Sequence, residues 1–104
     1  MHCIKVLAII LVGLSAQAQD YFLEKYAPFD SNIPSPQQYL GYGIGDYHTR
    51  HDQIISYFKE LDRLSDKASY IQYGQSHEGR PLGVLVIGSA DNIKNLESIQ
   101  SNHL

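Results

Sequence analysis

Apolar residues recur along this chain in several rhythms, and each rhythm predicts a different element. Ile54, Phe58 and Leu61 repeat at i, i+4 and i+7, with Ile55 and Leu64 widening the stripe, while Lys59, Glu60, Asp62 and Arg63 fall mostly elsewhere. That spacing predicts a helix with one buried face. Tyr70-Ile71-Gln72-Tyr73 then has the β-branched and aromatic content of a strand ending at Gly74. Residues 82–87 are almost continuously apolar, which predicts a strand buried on both faces. This strand is expected to begin after Pro81, because proline has no N–H for a sheet ladder. The intervening loop, residues 74–81, lets the two strands run antiparallel as neighbours. Gly88-Ser89 closes the pair, and Ile93, Leu96 and Ile99 mark a second helix with Asp91 near its start.

The first helix is expected to open at Thr49. In the run Thr49-Arg50-His51-Asp52 the threonine hydroxyl can accept from the Asp52 backbone N–H while the Asp52 carboxylate reaches back, a capping box. Ahead of it, residues 19–46 contain Pro28, Pro34, Pro36, Gly41, Gly43 and Gly45, which disfavour regular helix. The tyrosines and Phe29 among them argue against plain disorder, so this segment reads as an extended lead-in that packs aromatic rings on the domain.

The amino-terminal run has a third rhythm. Lys5 precedes an unbroken apolar stretch at residues 6–14, followed by Ser15-Ala16-Gln17-Ala18 with small residues in A-x-A spacing. This pattern predicts a secretory signal peptide over residues 1–18, cleaved after Ala18. The stretch is well short of the roughly 18 to 20 apolar residues that span a bilayer as a helix, and Cys3 precedes it, where a lipoprotein signal would place its cysteine at the end. Export carries away the single cysteine, so no disulfide can hold the mature chain, and the expected destination is periplasmic or secreted.

Charge narrows the partners further. The net charge of −3 becomes more negative once Lys5 is removed, and no cluster of Lys and Arg could track phosphates. Nucleic acid is therefore excluded as a partner on electrostatic grounds, and no basic amphipathic stretch suits a membrane surface. The predicted class is α/β, with the order helix, two antiparallel strands, helix. Two strands with one doubly buried member cannot satisfy their own edges and faces, so the sequence is expected to be an incomplete domain.

Each candidate for chemistry has a plainer structural reading. His48 and His51 lie three apart and could share a metal on a helix face, but no third His or Cys is spaced to join them, and Asp46 and Asp52 suit turn and cap roles better. Gly74-Gln75-Ser76-His77-Glu78 falls one residue short of a G-x-S-x-G nucleophile elbow, and no helix can follow through Gly79-Arg80-Pro81. His77-Glu78 begins like H-E-x-x-H, but Pro81 stands where the second histidine belongs. Gly41-Tyr42-Gly43-Ile44-Gly45 follows no strand and reads as a turn-rich loop, and Gly88 alone cannot build a phosphate cradle. Glu78 and Arg80 flank Gly79, which suits a positive φ, and their opposite charges are expected to pin that loop; a lesser role for Arg80 is donation to a peptide substrate near a cleft.

Tyr47-His48-Thr49 at a helix start, followed by Gly74-x-Ser76-x-Glu78-Gly79-Arg80-Pro81-Leu82 leading into an apolar strand, resembles the N-terminal part of a zinc carboxypeptidase domain of the carboxypeptidase A-like metallopeptidase family. The lead-in through Ile33-Pro34-Ser35-Pro36 and Leu40-Gly41-Tyr42 is similar to exported bacterial members. The resemblance implies an α/β/α domain on a mixed eight-stranded sheet, of which residues 47–104 would be the opening portion. It implies zinc held by an H-x-x-E pair and a later His, a distant Glu as general base, and peptide or protein C-termini as substrate. None of those residues has a counterpart here, since His103 is followed by Leu104 alone. No catalytic, substrate-binding or metal-ligating residue is assigned, and the chain alone is expected to bind no catalytic zinc. The alternatives are a small exported binding or interaction protein and a non-catalytic carboxypeptidase homologue.

Overall fold

The computed structural model describes residues 24–103, which divide between two compact units, Met1–Asp30 and Ser31–Leu104. The expected signal peptide lies outside the described residues. In the first unit Glu24–Tyr26 forms one 3-10 turn, with the Lys25 ammonium 4.8 Å from the Tyr26 ring centre.

The second unit opens with a short helix, α1, Pro36–Leu40, in a stretch where proline and glycine content had argued against one. Both residue types serve its ends instead. Pro36 occupies the first turn, where its missing N–H would have had no partner. Ser35 Oγ accepts from the Gln38 N–H at 3.3 Å while Gln38 Oε1 accepts from the Ser35 N–H at 2.8 Å, a complete capping box. Gly41, at φ 82°, closes the helix in the left-handed region that side-chain-bearing residues avoid, and its N–H returns to the Gln37 carbonyl at 2.9 Å.

Helix α2 spans His51–Leu64 and is capped at Arg50, not at Thr49. The expected Thr49–Asp52 box does not form: the helix is capped one residue later, and both side chains have other partners. The Tyr42 hydroxyl donates to Thr49 Oγ1 at 2.8 Å, and the Arg50 guanidinium donates twice to the Asp52 carboxylate, at 2.6 and 3.0 Å. Two bonds from a guanidinium hold a carboxylate more strongly than one backbone N–H does. Gln53 supplies the cap from the other direction, its Oε1 accepting from the Arg50 N–H at 3.3 Å. The apolar stripe is real: Ile55 is 6% exposed, Phe58, Leu61 and Leu64 are half-buried, and Ile54 lies at the exposed margin. Tyr57 ties α2 to the segment before α1, donating its hydroxyl to the Pro34 carbonyl at 2.8 Å and setting its ring 5.1 Å from that of Tyr39.

Strands β1, Ala68–Gln75, and β2, Pro81–Ile87, form the antiparallel pair that the sequence predicts. Pro81 belongs to the strand as its first residue, opposite Gln75, a position where a missing donor is tolerated. The register pairs Ala68 with Ile87, Tyr70 with Leu85 and Gln72 with Gly83, which share one face; Ser69 with Val86 and Ile71 with Val84 share the other. A bulge at Tyr73 shifts the ladder, so that Gly74 meets Leu82. Helix α2 packs on β1. The Tyr70 ring lies across Gly83 so closely that a Cβ there would collide with it, and the Lys59 ammonium stands 5.5 Å from the ring centre. The Tyr70 hydroxyl is buried with no hydrogen-bond partner among the described residues.

The expectation that β2 is buried on both faces fails. Val84 is 45% and Ile87 73% exposed, because burial of a strand on both faces needs a packed layer on each. Among the described residues the sheet has two strands, and Ile55 and Ala68 are the buried ones.

The second predicted helix is two: α3, Ala90–Lys94, and α4, Leu96–Asn102. Asn95 divides them, with its side-chain amide donating to the Asp91 carbonyl at 2.8 Å and its backbone at φ −105°, ψ 18°. Asparagine commonly competes in this way with the helical ladder. Ser89 caps α3, accepting from the Asn92 N–H at 3.2 Å. Described plainly, the unit is a mixed α/β arrangement around a two-stranded antiparallel sheet.

Two outcomes follow from these contacts. Gly83→Val should displace the Tyr70 ring and weaken amide-exchange protection along both strands, by about 1 to 3 kcal/mol. In a Tyr70→Ala background the same change should be neutral or favourable, since valine suits a strand better than glycine; equal losses in both backgrounds would contradict the ring contact. Burial also raises the Tyr57 phenol above its ordinary value of 10.0. A phenol whose folded pKa is raised adds stability below the unfolded pKa and loses it as pH climbs through the folded value. Alkaline ultraviolet titration should therefore show a late-ionising tyrosine that disappears in Tyr57→Phe.

Candidate functional site

The hairpin loop between β1 and β2 is closed almost entirely by Ser76 and Arg80. The Ser76 N–H donates to the Arg80 carbonyl at 2.8 Å, the Arg80 N–H donates to Ser76 Oγ at 3.1 Å, and the Gly79 N–H donates to the Ser76 carbonyl at 2.9 Å. Gly79, at φ 75°, makes the left-handed turn that this closure requires. The Ser76 hydroxyl is thus a loop-closing acceptor, and strand β2 follows it where a nucleophile elbow would have a helix.

Glu78 and Arg80 do meet, at 3.0 Å, but the pair is internal to the loop and both side chains are largely exposed. Such a pair adds little stability, so the expectation that it pins the loop to the domain is not met. His51 supplies that link. Its Nε2 lies 2.8 Å from the Pro81 carbonyl oxygen in a part-buried contact, joining the first turn of α2 to the end of the loop. As the acceptor is a carbonyl, Nε2 carries the proton.

Around this tether the N-terminal end of α2 and the start of β2 border an open groove of about 820 Å³. His48, Arg50, His51 and Asp52 line it from the helix side and Arg80 and Pro81 from the hairpin, with Ile54 and Ile55 contributing apolar surface. The polar groups are largely engaged with one another. Arg50 holds Asp52, and that hydrogen bond keeps the Asp52 carboxyl below its ordinary range and lifts Arg50 further above its own. Thr49 is occupied by Tyr42, and Arg80 by Glu78.

The two histidines are placed differently. His48 precedes α2, so the helical spacing that would align it with His51 does not apply, and the His51 ring is directed at Pro81. Among the described residues no three or more His, Cys, Asp or Glu side chains gather closely enough to hold a metal ion. Asp46 takes a turn role, its Oδ2 accepting from the Gly43 N–H at 2.9 Å. That bond, with the Asp46 N–H returned to the Gly43 carbonyl at 3.1 Å, makes the Gly41-to-Gly45 run a turn. His77 is exposed on the hairpin loop, and His103 follows α4. No described helix is long and apolar enough to cross a membrane.

Sequence reasoning missed the groove because its organising contact joins residues thirty apart. No local pattern signals that a histidine at a helix start will reach a proline carbonyl across a hairpin. Comparisons with family models, curated proteins and solved structures find no match to this chain.

Removing the tether should loosen the loop without unfolding the helix. His51→Ala is expected to speed proteolytic cleavage within residues 76–80 roughly fivefold to tenfold, the effect of one lost hydrogen bond of about 1 kcal/mol. His51→Gln, whose amide can still donate, should recover part of that protection. Unchanged cleavage in His51→Ala would show that the Pro81 contact does not hold the loop.

Proposed function

We propose that this chain is the opening portion of an exported zinc metallocarboxypeptidase, an enzyme that removes C-terminal amino acids from peptides by zinc-activated water. The observation that carries the reading is the Gly74-x-Ser76-x-Glu78-Gly79-Arg80-Pro81-Leu82 stretch, which forms the closed loop and first residues of an antiparallel hairpin placed after an amphipathic helix. Ser76, Gly79 and Arg80 each have a structural task in that loop, which gives a physical reason for the motif to recur as a unit.

The thin core supports the same reading. A hairpin with Ile71, Val84 and Ile87 exposed, and with Ile55 and Ala68 as the described core, suits one layer of a larger sheet better than a self-sufficient module. Exposed polar groups on both strands would then pair with further strands.

The described residues do not fit the catalytic zinc of such an enzyme, because they bring no ligand set together. No step of hydrolysis is therefore derived through the metal, and no residue of this chain is given a catalytic role. What this portion would contribute is a wall: α2, the tethered hairpin loop and the groove between them, with Arg80 at the rim.

The decisive experiment expresses the chain together with the coding sequence that continues in frame. Release of a C-terminal residue from a test peptide, lost on zinc removal and restored by added zinc, is expected of the longer protein and not of residues 19–104 alone. The continuing frame should also encode an H-x-x-E. Absence of that motif, with a sharp cooperative unfolding transition for monomeric residues 19–104, would overturn the proposal in favour of a small exported binding protein.

A further inference from the structure

We draw no further inference here: the strongest candidate, the partly exposed apolar face of the hairpin carrying Ile71, Leu82, Val84 and Val86 beside the open edge of β2, carries nothing because no observation in the structure shows what covers it.

Discussion

The packing of α2 against β1 is the contact on which the rest of this unit depends. Ile55 on the helix and Ala68 on the strand are the buried residues among those described, and Phe58, Leu61 and Leu64 on the helix are half-buried. Near its margin the Tyr70 ring fills the space above Gly83 and offers its face to Lys59. With so few side chains wholly removed from water, apolar burial at roughly 25 cal/mol per Å² leaves little margin over the entropy of ordering the chain. The surrounding polar contacts consequently matter for orientation. They orient α1 and the hairpin loop, while the helix–sheet contact decides that there is a unit to attach them to.

Two of those polar contacts share a logic. Tyr57 and His51 project from the same helix, and each reaches a carbonyl at a proline, Pro34 and Pro81 respectively. A proline ring fixes its own φ, so part of the backbone freedom at each anchor is already absent before the hydrogen bond forms. The helix thereby fastens both the segment before it and the hairpin after it. The ion pairs differ in kind. Arg50 with Asp52, Arg63 with Glu60 and Arg80 with Glu78 all join residues close in sequence. Mostly at the surface, such pairs shape local loops and turns and contribute little to global stability.

The elements governed by local periodicity were legible in the sequence. The stripe through Ile55, Phe58 and Leu61 identified α2, and the contrast between Tyr70-Ile71-Gln72-Tyr73 and the apolar run after Pro81 identified an antiparallel pair. What misled was punctuation read without position. Pro36 and Gly41 look like helix breakers until they are set at the two ends of α1, where Ser35 and Gln38 form a capping box. Thr49 and Asp52 have the spacing of a cap, but the competing Tyr42 hydroxyl arrives from seven residues away. Asn95 gave no periodic signal for the break it makes. Of the groove, the residue types were visible and their assembly was not, because it depends on the register of the hairpin and the angle at which α2 crosses it.

The bulge at Tyr73 sets that register. Up to Gln72 opposite Gly83 the two strands count in step; beyond it one additional residue on β1 brings Gly74 opposite Leu82 and Gln75 opposite Pro81. Because side chains alternate between faces, one residue more or less rephases everything beyond it. Tyr73 therefore works as a spacer that lets the motif loop and the ladder satisfy different parities. An insertion or deletion in this strand would not act as a local blemish. It would change which way the loop faces, whereas a change of length at the tip of the loop would leave the faces of the sheet where they are.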